Sequence, residues 1–304
     1  MVEDKTVKVK VPGTTANCGP GFDSLGIACN LYNELELTLR KKGKLVIEIM
    51  GEGAQNIPCD GRNVVWKSIQ YLLHRANIEY QGAYIKMLNR VPLSRGLGSS
   101  AAAIVAGLTA ANYAIGNRFT RQEIFAMATD IEGHPDNVAP AIFGGMTLSI
   151  LRKDGEPECL SFFPKIDLQL IVTVPEFSLS TKAARKVLPA VVPLKDAVFN
   201  VGRTALLVGA LCEGKTEFLE HAFEDCLHQP YREKLIPGMY DVFAAAVQNG
   251  ALGAAMSGAG PCLIAFTENN GEAIGTAMVA AFKEHNVKAK YLLLTIDKKG
   301  ACLL

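Results

Sequence analysis

The stretch Pro92-Leu93-Ser94-Arg95-Gly96-Leu97-Gly98-Ser99-Ser100-Ala101-Ala102 places two glycines two positions apart, then a serine pair, then the start of an alanine run. Gly96 and Gly98 remove side chains where the backbone must come close to something, and the Ser-Ser-Ala-Ala text opens a helix. The first backbone N–H groups of a helix have no carbonyl partner within it and sit at the positive end of its dipole, which makes such a start a site for phosphate oxygens. A serine hydroxyl in the first turn can also reach a phosphate-bound cation.

Two better-known phosphate loops do not fit. The P-loop needs a lysine directly after its last glycine, and Ser99 stands there. Gly96, Gly98 and Ala101 satisfy the spacing of the dinucleotide fingerprint. That motif also needs an acidic residue at the end of a second strand, whereas Glu123 falls within a helix that Thr120 caps. The structural alternative is a tight loop of small residues required only for packing.

Working outward, Val7, Val9 and Val11 alternate with Lys8 and Lys10 in a half-buried strand that Pro12 is expected to end. Pro12 to Gly26 is turn-rich and expected to be irregular. Leu35 to Ile49 reads as strand, turn and strand, Asn63 caps a helix, and Ala83 to Leu88 is another strand. Further helices are predicted from Ser99, over Arg121 to Ile131, Lys195 to Cys212, Met239 to Asn249 and Glu272 to His285. Strands are predicted over Leu168 to Val174, Ala251 to Met256, Pro261 to Phe266 and Tyr291 to Ile296. Strands and helices that segregate in this way favour α+β packing over a doubly wound sheet. The domain boundary is placed near Arg152, giving units of 1–152 and 153–304.

The chain has 304 residues, 49% of them hydrophobic, so it can fill one large core or two smaller ones. With 31 Lys and Arg against 30 Asp and Glu it carries no field that favours nucleic acid or an anionic membrane. Met1 to Lys10 lacks the apolar stretch of an export signal, which points to the cytosol. The uncharged run Gly96 to Asn117 is rich in Ala, Gly, Ser and Thr and reads as a buried helix, since such residues gain little in lipid. Cys18, Cys29, Cys59, Cys159, Cys212, Cys226, Cys262 and Cys302 form no C-x-x-C pair, so neither a zinc site nor a disulfide framework is indicated.

Two further glycine-rich segments are Val11 to Asp23, V-P-G-T-T-A-N-C-G-P-G-F-D, and Ser257 to Pro261, S-G-A-G-P. The Pro92 to Ala102 loop resembles the ATP-binding motif of the GHMP family of small-molecule kinases, and Ser257 to Pro261 resembles its C-terminal glycine motif, with Ala259 where many members carry Ser. Val11 to Asp23 and Glu132 to Gly145, E-G-H-P-D-N-V-A-P-A-I-F-G-G, are similar to segments of the homoserine kinases within that family. Gly13 and Cys18 depart from the commoner Ala and Leu. Mevalonate-type members place a lysine where Thr14 stands here.

The resemblance implies two domains, a mixed α/β N-terminal unit whose glycine loop opens a helix and a ferredoxin-like C-terminal unit. It implies phosphorylation of the side-chain hydroxyl of L-homoserine by ATP, a step of threonine biosynthesis, in a homodimeric enzyme. ATP is expected along Pro92, Leu93, Ser94, Arg95, Gly96, Leu97, Gly98, Ser99, Ser100, Ala101 and Ala102, with Gly258 and Gly260. Arg185 and Arg232 would hold the carboxylate, where a guanidinium fork outperforms an ammonium. Asp23 would take the substrate ammonium with Asn17 beside it, and His134, Asn137 and Thr181 would lie near the reacting hydroxyl. Asn17 and Asp23 also read as Asx-turn residues of a Gly-Pro loop. Mg²⁺ would bind Ser100, with Ser99 the alternate hydroxyl, and Asp130, with Glu132 the alternate carboxylate.

None of these residues is an obvious strong general base, which the loose transition state of phosphoryl transfer tolerates. The sequence leaves open another GHMP kinase of mevalonate or sugar type, a non-catalytic sensor of ATP and a metabolite on the same fold, and an NAD-dependent dehydrogenase.

Overall fold

The computed structural model describes residues 6–304, so the first half of the Met1 to Lys10 segment lies outside the described residues. The N-terminal half is built on a mixed sheet of β1 (Thr6–Asn17), β2 (Gly21–Arg40), β3 (Val46–Gly51), β4 (Gly82–Asn89), β5 (Met146–Leu151) and β6 (Pro157–Phe162), closed at its edge by the C-terminal β11 (Cys302–Leu303). Helices α1 (Val64–Arg75), α2 (Ser99–Ala114), α3 (Arg121–Glu132) and α4 (Val138–Phe143) share one core with it, centred on Leu37, Ile69, Ile85, Val105 and Phe125. The charge-free run is the buried α2, and no helix among the described residues is long and apolar enough to cross a membrane.

The C-terminal half is a four-stranded antiparallel sheet of β7 (Gln169–Pro175), β8 (Gly253–Met256), β9 (Leu263–Thr267) and β10 (Ala289–Thr295), in the order β10-β7-β9-β8. That order of fourth, first, third and second strand, with α9 (Met239–Gln248) and α10 (Gly271–Glu284) packed on one face, is the ferredoxin-like arrangement. Between β7 and α9 the chain inserts α5 (Thr181–Lys186), α6 (Leu194–Glu213), α7 (Leu219–Ala222) and α8 (Gln229–Arg232). The other sheet face meets α6, α7 and the N-terminal sheet in a continuous core that contains Leu25, Ile27, Met146, Leu207 and Phe266.

Three expectations give way to tertiary structure. The Pro12 to Gly26 text is not irregular: β1 continues through Pro12, which sits opposite Tyr32 of β2, and on to Asn17, with a register shift between Pro12 and Gly13 that bulges β2 where the proline lacks an N–H. Leu35 to Ile49 is not a hairpin; α1 carries the chain over so that β3 pairs parallel to β4, which lies between β2 and β3. The boundary near Arg152 falls in the turn of the β5–β6 hairpin, and the N-terminal sheet continues to Phe162. The helix α4 and strands β5 and β6 lay outside every element the sequence predicted.

The predicted caps of α1 and α3 are in place. Asn63 accepts from the Val65 amide at 2.9 Å while its own Nδ2 donates to Pro58 O at 2.7 Å, and Thr120 and Glu123 close a capping box. Asn63 is fully buried, so Asn63→Ala strands both partners. We expect a loss of about 1–2 kcal/mol in urea unfolding at unchanged slope; a midpoint equal to that of the parent protein would show that the cap contributes nothing.

Candidate active site

The helix α2 begins at Gly98, whose φ of 63° is left-handed, and Gly96 before it has φ 80°. Only glycine adopts both conformations without strain, and here clearance requires it as well. A Cβ on Gly96 would collide with the carbonyl oxygen of Ser257, and one on Gly98 with the hydroxyl of Thr14. The first amide of this helix to find a carbonyl is that of Ala102, which donates to Gly98 O at 2.8 Å. The amides from Gly96 to Ala101 donate to no acceptor among the described residues.

Of that row, Gly96, Gly98, Ser99 and Ser100 border a cavity of about 340 Å³. Leu93, Ser94, Arg95, Gly96, Gly98, Ser99, Ser100, Gly258 and Gly260 line it, and so do Asn17, Asp23, His134, Asn137, Thr181, Arg185 and Arg232. The N-terminal glycine segment, the central loop, the His134 loop and the C-terminal glycine loop therefore meet at one place although they are spread over the chain. Pro92, Leu97, Ala101 and Ala102 are not on its wall: Leu97, Ala101 and Ala102 are packed into the hydrophobic core, and Pro92 borders a separate hollow. The other side of the cavity is formed by Ile57, Val64 and Met87. The sequence reading omitted these three because an apolar residue in a strand or helix carries no sign of whether it faces a core or a ligand.

Asp23 and Arg185 form a bidentate pair, with Nη1 2.9 Å from Oδ2 and Nη2 2.7 Å from Oδ1. Arg232 is 1% exposed and, among the described residues, meets neutral acceptors only: Nε donates to Ala184 O at 3.1 Å, and Nη1 to His228 Nδ1 at 3.2 Å and Gly258 O at 3.4 Å. Burial, and the Arg185 charge after it, lower its pKa to about 10. A buried guanidinium without a carboxylate partner is costly unless an anion completes it, and Arg232 faces the cavity. Asn17 makes a longer bridge than an Asx-turn: Oδ1 accepts from the Asp23 amide, six residues on, at 2.9 Å and Nδ2 donates to Gly258 O at 2.7 Å. It thereby positions Asp23 and ties two loops together.

The His134 loop holds a dyad absent from the sequence reading. His134 Nδ1 lies 3.0 Å from Oδ1 of the buried Asp136, which also accepts from the amide of Asn137 at 2.9 Å. Asn137 Oδ1 accepts from Thr14 Oγ1 at 2.9 Å, which fixes the amide so that its nitrogen is the remaining donor. The hydrogen bond to Asp136 raises the His134 pKa above its ordinary value against the opposing effect of burial.

Of the two carboxylates considered for a cation, Glu132 is at the cavity and Asp130 is not. Asp130 is exposed, accepts from Tyr71 Oη at 2.6 Å and borders another hollow, because α3 turns residues two apart to different sides. Ser100 Oγ donates to Glu132 Oε2 at 2.8 Å, and burial raises the Glu132 pKa. A hydroxyl and a carboxylate suit a hard cation, and a cation would relieve the strain of charging that half-buried carboxyl.

Taken together, the site offers an amide cradle for an anion, an Asp23–Arg185 pair beside a buried Arg232 with neutral partners, and an oxygen pair for a divalent cation. Family models describe the same halves: residues 63–145 match the GHMP kinases N terminal domain and residues 207–284 the GHMP kinases C terminal domain. The chain is 43% identical to a homoserine kinase of Carboxydothermus hydrogenoformans over 97% of this chain and 96% of the relative. It is also 43% identical to one of Caldanaerobacter subterraneus subsp. tengcongensis, over 98% and 95%. The crystal structure of homoserine kinase from Cytophaga hutchinsonii superposes with a TM-score of 0.90 at 32% identity, covering 100% of this chain and 98% of that one.

The raised His134 pKa has a defined sign. The protonated ring gains from Asp136, so the pair's contribution to stability is fully present below the unfolded histidine value and is lost as pH rises through the higher folded value. An NMR titration of the His134 ring should give a midpoint above about 6.5 that drops in Asp136→Asn; the same midpoint in both proteins would refute the dyad.

Proposed function

The chain belongs to the GHMP kinase family, and from that premise we propose that it transfers the γ-phosphoryl group of ATP to the side-chain hydroxyl of L-homoserine, giving O-phospho-L-homoserine. The observation that carries the choice of acceptor is the buried, anion-free Arg232 in one cavity with the Asp23–Arg185 pair. An α-amino acid supplies the carboxylate that Arg232 lacks and the ammonium that Asp23 accepts. A mevalonate-type acceptor has no ammonium for Asp23, and a sugar has no carboxylate for either arginine.

In this reading the amides of Gly96, Gly98, Ser99 and Ser100 hold the phosphates, and Ile57, Val64, Met87 and Leu93 give an apolar wall for the base. Arg232 and Arg185 take the substrate carboxylate and Asp23 its ammonium, which fixes both ends of the amino-acid head group and leaves only the side chain to aim. Asn137, locked by Thr14, keeps one amide hydrogen for an oxygen at the reacting end. His134 carries a raised pKa and is protonated over more of the neutral range, so it suits charge on phosphoryl oxygens better than removal of the hydroxyl proton. No side chain acts as a strong base, and alignment with charge neutralisation supplies the acceleration.

Ser100 and Glu132 would hold Mg²⁺ together with the nucleotide, since two protein oxygens suffice when phosphates and waters complete the shell. Bound there, the ion neutralises charge on the phosphate oxygens.

A coupled assay of ADP release against L-homoserine, mevalonate and hexoses should show turnover with L-homoserine at least about 100-fold above the others in kcat/KM. Arg232→Ala should raise KM for L-homoserine by about 100-fold or more with KM for ATP little changed; unchanged homoserine kinetics would remove the acceptor assignment. Glu132→Gln should lower kcat at fixed Mg²⁺ by about 100-fold or more, while Asp130→Asn stays within about threefold of the parent. The reverse pattern would return the metal to Asp130.

A further inference from the structure

His228 is the fully buried histidine four residues before Arg232, and nothing in the reaction as described uses it. Its Nε2 lies 2.7 Å from Gly19 O. A carbonyl oxygen only accepts, so Nε2 carries the proton and Nδ1, 3.2 Å from Arg232 Nη1, presents a lone pair to the guanidinium. We propose that His228 is a positioning residue: as a neutral imidazole with its proton on Nε2, it accepts from Arg232 and holds that guanidinium at the place where the substrate carboxylate binds.

The surroundings enforce that state. Asp225, whose Oδ2 lies 3.6 Å from Nε2, would favour a charged ring, but its oxygens already accept from the amides of Leu227, His228 and Gln229 and from Asn200 Nδ2, all within 3.0 Å. Burial and the adjacent Arg232 disfavour a second cation. The Phe22 ring stacks on the imidazole, with centroids 5.1 Å apart and planes 22° apart. Arg232 and Arg185 lie over the same ring, at 5.3 and 5.7 Å from its centroid. The imidazole therefore cannot rotate to offer an N–H to the guanidinium without losing both its stack and its bond to Gly19. Arg232 has no carboxylate partner among the described residues, so its orientation rests on neutral acceptors, and Nδ1 is the only side-chain acceptor of the three.

This inference rests on the homoserine reading, and two polar replacements separate its components. Asn places an amide oxygen where Nδ1 stands and keeps the acceptor for Arg232. Gln places an amide nitrogen near Nε2, keeping the donor to Gly19 and losing that acceptor. The proposal predicts that His228→Gln raises KM for L-homoserine by about 10- to 100-fold with kcat and KM for ATP within about threefold, whereas His228→Asn stays within about fivefold of the parent in all three. The second arm is the carboxylate-free analogue 2-amino-1,4-butanediol, for which the Gln and Asn variants should differ by no more than about twofold. Equal KM for L-homoserine in the two variants, a larger defect in Asn than in Gln, or the same Gln defect with the diol would overturn the assignment. The parent enzyme's turnover of L-homoserine, measured in the same series, tests the acceptor reading separately.

Discussion

The closeness of backbones at Gly96 and Gly98 is the constraint from which the rest of the site follows. Three other segments converge on the loop around these residues. Leu97 O accepts from the Thr14 amide at 3.0 Å, Arg95 O from the Cys262 amide at 3.1 Å, and Ser94 O from the Leu179 amide at 3.3 Å, while Ser257 Oγ donates to Gly96 O at 2.6 Å. The carbonyls of the loop are thus occupied by neighbouring chain, and its amides are left for a ligand. A loop whose carbonyls faced the cavity would repel an anion; the stitching determines which face of the peptide plane is presented. Thr14 contributes twice, with its amide to Leu97 O and its hydroxyl to Asn137, so one residue couples the amide cradle to the His134 loop.

Charge in the cavity is arranged by pairing some groups and withholding a partner from others. Asp23 with Arg185 and His134 with Asp136 are balanced within the protein, whereas Arg232 is buried among carbonyls and an imidazole. A paired surface charge contributes little to selectivity, since solvent replaces the ligand at small cost. A buried cation that lacks an anion discriminates strongly, because any ligand without a carboxylate leaves it uncompensated. In the proposed reading, acceptor specificity would therefore depend more on Arg232 than on Arg185, although the sequence presents the two arginines alike.

Much of the fold was legible in the sequence where a local rule decides the outcome. The helix opening at Ser99, the Asn63 and Thr120 caps, and the four strands and two helices of the C-terminal sheet follow from periodicity and capping chemistry. What was illegible depends on partners distant in sequence. The continuation of β1 past Pro12 needs β2 opposite it, and the parallel pairing of β3 needs the α1 crossover. The site residues divide in the same way. The loop glycines, Asp23 and Asn137 sit in recognisable segments and, with both arginines, line one cavity. Asp136 and Phe22 sit in those same segments and His228 lies four residues before Arg232, yet their importance comes from contacts that only the folded chain brings together. The choice between Asp130 and Glu132 was a question of helix phase at a fraying end, which residue type does not settle.

The site draws Asp23, Asn137 and Ser100 from one half of the chain and Arg185, Arg232 and Gly258 from the other, and the core between the halves determines how firmly they are set. Leu25 and Ile27, a few residues beyond Asp23, pack in the same core as Leu207, Phe223 and Phe266. The Gly19–Pro20 turn is gripped from the C-terminal half as well: Asn200 Nδ2 donates to Pro20 O at 3.2 Å, Thr204 Oγ1 to the same oxygen at 2.9 Å, and His228 to Gly19 O. Asp23 is therefore carried on a strand of one half and on a turn clamped by the other. Asn17 and Asp23 adopt left-handed backbone at φ 70° and 54°, a conformation that costs energy and persists only when the surroundings over-determine it. The clamp supplies that over-determination, so the Asp23 carboxylate is positioned before any ligand arrives.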